Sequence, residues 1–373
     1  MSLFLAVFLS IYSAMHALFF FRVRPLIPAS GYWRFPFTVF LIFMILAPVL
    51  SRMFERFGFN LTGRAVGIIG YYWMGFIFLA FTGIILTMAY DLLAWAVSAV
   101  TPIGLPLSSG KPAVLGLIVL VVMLCGYGVF EARELKIETI RIETKKFPPN
   151  VDRFRIVQIS DIHLGLMTQS KRLNAITDAV KSTRPDLIVC TGDLVDGRLD
   201  HINGLSDLLR ELDAPYGKYA VTGNHEFYAG LARSERFLKK SGFILLRDRA
   251  ISTDPGLNIV GVDDHSIAGS ISEDKLLDSV YGNGQFTLLL KHRPLVSPGS
   301  EGRFDLQLSG HTHKGQIFPF NYLVALLFPM IGGHYELANG AHLYTSRGTG
   351  TWGPPMRILA PPEITVVELV RGS

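Results

Sequence analysis

The chain has 373 residues, half of them hydrophobic, and a formal net charge of +5. With a positive mean hydropathy it is too oily for an ordinary soluble protein and too long for one average domain. The modest charge comes with no long basic run, which argues against nucleic acid as a partner, and the two cysteines, Cys125 and Cys190, suggest neither a disulfide framework nor a thiolate metal site.

Charges are scarce from Met1 to about Phe130, whereas after Glu131 the composition is that of a globular protein. Four apolar stretches, 3–21, 35–50, 66–90 and 112–130, approach or exceed the roughly 20 residues needed to cross a bilayer. Region 1–130 therefore reads as about four transmembrane helices. The third stretch runs on past Asp91 into LLAWAVSAV, which reads as a helix extension, an interfacial piece or part of another span. His16 and Asp91 are polar residues in this region; such a histidine marks a proton or ion path, or a bonded residue near a helix end.

Orientation follows from the basic flanks. One side carries Arg52, Arg56, Arg64, Arg133, Lys136, Arg141, Lys145 and Lys146, the other Arg22, Arg24, Arg34 and Lys111, eight against four. The expectation is an integral protein of the inner or plasma membrane with its second part on the cytoplasmic side.

Beyond a linker and first strand at 131–153, the pattern alternates. FRIVQISD and LIVCTGD are short apolar runs ending in Asp161 and Asp193, and between them Leu173, Ile176, Ala179 and Val180 recur at helical spacing. INGLSDLLREL predicts another helix before the strand YAVTGNHE. Later runs (LNIVGVDD, QFTLLLKHRP, FDLQLSGHTH, HLYTSRGTG, EITVVELV) are richer in strand, so two sheets packed face to face with helices outside are expected. Ligands in such sheets gather where strands end.

Those strand ends supply Asp161-Ile-His163, Gly192-Asp193, Gly223-Asn224-His225-Glu226, Lys291-His292-Arg293 and Gly310-His311-Thr312-His313. Oxygen and imidazole donors without thiolates suit Mn, Fe, Zn or Ni. Read together, these five blocks resemble the calcineurin-like metallophosphoesterases, whose pattern is D-x-H, G-D, G-N-H-[DE], H and G-H-x-H in this order.

The resemblance implies an α/β (αββα sandwich) domain over 154–373, following the α-helical membrane region, and two divalent metal ions, with Mn2+ expected and Fe, Zn or Ni as alternatives. By that similarity Asp161, His163, Asp193 and His313 would hold one metal. Asp193, Asn224, His292 and His311 would hold the other, with Asp193 bridging. Two cations about 4 Å apart acidify a shared water for attack on phosphorus. His225 matches the family's non-ligand histidine and would protonate the leaving oxygen or steady the pentavalent state. Glu226 reads as an orienting partner for His225 or as a solvated carboxylate. Arg347, in SRGTGTWG, reads as a grip on a substrate phosphate. Asp263 and Asp264 read as a turn or as outer neighbours of the metals; His201, His265, His334 and His342 stand outside the constellation.

GHTHKGQIFPF with YTSRGTGTWGPPMRILAPP is similar to a membrane-associated branch of the family, resembling UDP-2,3-diacylglucosamine hydrolase-like phosphodiesterases, although this chain carries several spans rather than one anchor. The implied function is cleavage of a phosphoester or pyrophosphate bond in a lipid-like, phosphorylated substrate by a membrane-bound enzyme whose partner is the bilayer. The alternatives are a phosphodiesterase of soluble substrates that uses the helices as an anchor, or a non-catalytic metal-binding module of a membrane complex. The run IFPFNYLVALLFPMI after the GHTH loop is too short and too broken by proline to span a bilayer. It reads either as a buried part of the core or as a lip that touches lipid.

Overall fold

The computed structural model describes residues 2–28, 31–146, 151–168, 170–197, 204–264 and 272–372; His201 and His265 lie outside them. Contacts divide the chain into two units, Met1–Phe130 with Gly353–Met356, and Glu131–Trp352 with Arg357–Ser373.

The first unit is helical. Its helices cover Ser2–Val23, Gly31–Arg56, Asn60–Val100 and Lys111–Glu131, the last ending one residue into the second unit, and all four are long and apolar enough to cross a membrane. At 41 residues the third is about 60 Å long, twice the hydrocarbon thickness, so LLAWAVSAV continues that helix. The second and third helices approach closely because small residues line their contact. A Cβ on Gly70 would sit 2.8 Å from the Ala47 Cβ, and Ser51 donates to the Gly63 carbonyl at 2.7 Å.

His16 is no open relay. Its Nδ1–H donates to the Tyr12 carbonyl at 2.7 Å, and its Nε2 accepts from the Trp73 indole at 2.9 Å, so both ring nitrogens are occupied. Asp91 accepts from the Ser108 amide and hydroxyl at 2.6 and 2.7 Å, and Arg22 donates to the Ser108 carbonyl at 2.8 Å. The two polar residues fasten helices and a loop together.

The second unit holds two six-stranded sheets. In spatial order, the first runs Lys136–Thr144, Glu363–Arg371, Arg153–Ile159, Leu187–Thr191, Lys218–Val221 and Ile244–Leu245. The second runs Gly333–Glu336, His342–Thr345, Leu306–Ser309, Phe286–Lys291, Leu257–Val262 and Arg249–Thr253. Alternation along the strands assigns the faces. Ile156, Leu187, Val189, Leu288, Leu290, Leu306 and Leu308 meet between the sheets. Val157, Ile159, Ile188 and Cys190 face the opposite way, against Leu173, Ile176 and Val180 of the Ser170–Ser182 helix. Leu289 and Val260 pack on Leu276 and Leu277 of the Glu273–Asp278 helix behind the second sheet. This is the expected αββα sandwich.

Parallel pairing decides where the chemistry collects. Arg153–Ile159, Leu187–Thr191 and Lys218–Val221 are mutually parallel, as are Leu257–Val262, Phe286–Lys291, Leu306–Ser309 and His342–Thr345. Within each sheet their carboxyl ends therefore share one edge.

Candidate metal centre

Each strand stops short of its polar residues, and the backbone hydrogen bonding then curls. The Asp161 amide donates to the Gly192 carbonyl and the His163 amide to the Asp193 carbonyl, both at 3.0 Å, and the Gly310 amide reaches the His292 carbonyl at 2.9 Å. Asp161, His163, Asp193, His311 and His313 all take positive φ, between 48° and 71°. A left-handed conformation costs such residues about 1–2 kcal/mol each, and strain of this kind gathers at functional sites. Gly310 shows why its position admits no side chain: a Cβ there would lie 2.2 Å from Asp161 Oδ2 and 2.0 Å from Ser160 Oγ.

The side chains expected to bind metal converge. Asp161, His163 and His313 form one group, Asp193, His292 and His311 a second, and His163, Asp193 and His225 a third, each with donor atoms within 4.8 Å of one another. Asp193 Oδ2 lies 3.2 Å from His292 Nε2 and 4.0 Å from His163 Nε2, so it stands between the first two groups. His163 Nε2 faces His313 Nε2 at 3.1 Å, and His311 Nδ1 faces His292 Nε2 at 3.1 Å. Nitrogen faces nitrogen, and one shared proton is the most the protein itself can put between them. Asn224 Oδ1 and His163 Nδ1 are buried without a hydrogen-bond partner. Orphaned buried polar atoms are costly, and this donor set suits a pair of hard to borderline divalent cations.

The titration pattern has local causes. Burial lifts the Asp161 carboxyl to about 6 and lowers His163 and His311 each to about 3. Burial would also lower His292, but Asp193 and Asp161 reverse this and raise it to about 10. Asp193 lies well below the usual carboxylate range despite its burial, because His292 and His225 hold its charge.

Around these groups the structure corrects two expectations. Glu226 neither orients His225 nor meets solvent. It is fully buried and accepts from the amides of Asp193, Leu194 and Gly223 at 2.9, 2.8 and 2.7 Å, fixing the turn that carries Asp193. The partner of His225 is Asp196, whose Oδ1 lies 2.8 Å from His225 Nδ1. Asp193 and Asp196 oppose the effect of burial on His225 and raise it above its ordinary value. Asp196 was legible as a second carboxylate three residues after Asp193, on the short strand Val195–Asp196.

Arg347 does not reach for a phosphate. Its guanidinium pairs with Glu138 at 2.5 Å and Glu363 at 2.6 Å, because its strand end lies beside the Glu363–Arg371 strand. The arginine that touches the site is Arg357, which is fully buried. It donates to His313 Nδ1 at 3.0 Å and to the carbonyls of His313 and Arg347 at 3.2 and 2.7 Å. A lone basic residue in the apolar stretch MRILAPP was its only signal. Asp264 is taken by Arg293 in a two-pronged pair at 2.7 and 2.9 Å, and Asp263 accepts from Thr222 and Arg247, so both lock strand ends together.

Comparison with known proteins agrees with this geometry. Residues 154–315 match the family described as Calcineurin-like phosphoesterase. An uncharacterized metallophosphoesterase of Aquifex aeolicus is 39% identical over 254 residues, covering 66% of this chain and 97% of that protein. The chain belongs to the calcineurin-like metallophosphoesterases. It is a phosphoester hydrolase, of a family that uses a dinuclear divalent metal site. A transmembrane protein with metallophosphoesterase domain from Danio rerio is 31% identical over 278 residues, 70% of this metallophosphoesterase and 63% of the relative's length. With its four apolar helices, the enzyme is a membrane protein. Among solved structures, a dimetal phosphatase from Danio rerio is similar at 17% identity and a TM-score of 0.33, over 52% of this chain and 87% of that one. That likeness is too distant to add to the geometry above.

Proposed function

We propose that this metallophosphoesterase cleaves a phosphoester or pyrophosphate bond in an amphiphilic, lipid-like substrate of the membrane that carries it. The observation behind the substrate class is the surround of the polar centre. The Phe328 ring lies 5.0 Å from the His311 ring, the Trp352 ring lies 6.0 Å from that of His225, and the chain beyond His313 continues into exposed apolar residues. A charged headgroup bound at the centre would then have apolar neighbours for its tail.

Asp161, His163, Asp193 and His313 would hold one cation, and Asp193, Asn224, His292 and His311 the other, with Mn2+ as the proposed metal. When bound, such a pair supplies Lewis acidity toward phosphoryl oxygens and acidifies water. The chain's own residues supply the rest. Asp196 holds His225 Nδ1 and leaves Nε2 to deliver a proton to the departing oxygen. Glu226 and Arg357 keep Asp193 and His313 in place through the backbone. The eight-to-four excess of basic residues supports a cytoplasmic catalytic unit.

The test is turnover by the full chain in mixed micelles with Mn2+. Metal-dependent release of phosphate or headgroup from phospholipid, faster than hydrolysis of bis-p-nitrophenyl phosphate, is expected. Cleavage of the soluble ester with none of any phospholipid would rule out the lipid reading and leave the hydrolase intact.

A further inference from the structure

The run Ile317–Ile331 contains no charged residue. At its centre the helix Asn321–Leu327 buries none of its residues, and Tyr322, Leu323, Leu326 and Leu327 are 65%, 57%, 79% and 73% exposed. Phe318 and Phe320 flank it, also exposed. Ile317 is buried, so the run begins in the core, but the helix at its centre is not core packing. Asn321, Val324 and Ala325 are half-buried on one side, and the other side presents large apolar residues with no charge among them, a surface not at home in water.

The helix is nonetheless fixed to the metal loop. Gly315 has φ +76°, and a Cβ there would lie 2.4 Å from the Asn321 nitrogen and Cα, so the turn out of the GHTH motif seats the helix directly. The Phe318 amide donates to the Ile358 carbonyl at 3.2 Å, and Phe328 returns the chain to His311.

We infer that residues 318–327 form an interfacial lip that inserts into the surface of the bilayer carrying the chain. Three observations select a bilayer as the occupant. The protein's four candidate spans keep a membrane within reach of every copy. Phe318, Phe320 and Tyr322 beside Leu323, Leu326 and Leu327 make the aromatic-aliphatic mixture of segments lying at the headgroup boundary. The run itself also offers no charged group for a protein partner to pair with. Without lysine or arginine of its own, the lip binds by apolar burial and needs no anionic lipid. The contact stands on these observations. Only its consequence, that the lip delivers an amphiphile to the metals, rests on the proposed substrate class.

The contact is tested in the full chain, in a Cys125→Ala background, reconstituted in phosphatidylcholine vesicles. An environment-sensitive fluorophore is placed on Leu326→Cys and, separately, on Tyr281→Cys. Tyr281 is exposed in the loop before the Phe286–Lys291 strand, on the edge opposite the metals. Spin-labelled phosphatidylcholine should quench the label at 326 about twofold or more, equally at low and high salt, and leave the label at 281 unchanged. Absence of quenching at 326 overturns the inference. So does efficient disulfide formation between copies through Leu326→Cys, which would assign the face to a second chain. Turnover separates the two ideas. If 326 is quenched but Leu323→Ser/Leu326→Ser/Leu327→Ser slows phospholipid and bis-p-nitrophenyl phosphate equally, the lip stands and the lipid-substrate reading fails. A selective loss on phospholipid of about tenfold supports both.

Discussion

His16 and His163 are buried alike, 2% and 3% exposed, one in each unit, and they have opposite surroundings. His16 has a carbonyl on one nitrogen and an indole N–H on the other. His163 has no partner at Nδ1 and another histidine at Nε2. Among helices in an apolar setting, the protein completes a buried imidazole, because an unmatched polar group there has no water to turn to. At the strand ends it gathers imidazoles and carboxylates that it does not complete. The first arrangement stabilises a fold; the second is a donor set suited to divalent cations.

The sharpest way to break this contrast is to remove the residue between the two ligand groups. Asp193→Ala should lower kcat/KM on bis-p-nitrophenyl phosphate on the order of 10³-fold or more and reduce bound metal, with the circular dichroism spectrum preserved. Full metal content with full activity would show that the cluster is ordinary packing. His225→Ala should cost about 10²–10⁴-fold in kcat with metal content unchanged, and Asp196→Asn about 10–100-fold with a displaced pH profile. A loss of metal in His225→Ala would make it a ligand instead.

A pH titration sharpens the same contrast. In the metal-free chain His292 lies at about 10, above its ordinary 6.5, so its proton supports the fold fully below pH 6.5, and that support fades as pH approaches 10. A cation competes for the same nitrogen. Affinity for Mn2+ should therefore rise by about tenfold per pH unit from 6 to 10, and more steeply below 6, where Asp161 also carries a proton. Calorimetry in buffers of different ionisation enthalpy would count the protons released; none near pH 7 would contradict this assignment of charge. The smallest effect is expected at the completed histidine. His16→Leu should destabilise the helical unit by only about 0.6 kcal/mol and leave kcat on a soluble ester unchanged. Loss of turnover there would revive a relay through the spans.

Much of the candidate centre was legible because its donor residues obey local rules. Asp161, Asp193, Asn224, His292 and His311 each follow an apolar strand by one to three residues, and parallel strands bring such ends together whatever the remaining sequence does. What could not be read were roles that depend on which element becomes a neighbour. Arg347 and Glu138 lie 209 positions apart and meet because the first and last strands of the unit pair side by side. Glu226 turned inward because the amides of the Asp193 turn needed an acceptor.

The sequence by itself determined the apolar helices, the strand periodicity and the residues offered as metal donors, since these follow from hydrophobic pattern and from chemistry carried in short motifs. The tertiary structure alone decided that Asp196 rather than Glu226 holds His225, that Arg357 rather than Arg347 touches the centre, and that Asn321–Leu327 lies exposed. Whether a carboxylate is a partner, or an apolar helix is covered, depends on what the fold brings within a few ångströms, and no local pattern encodes that.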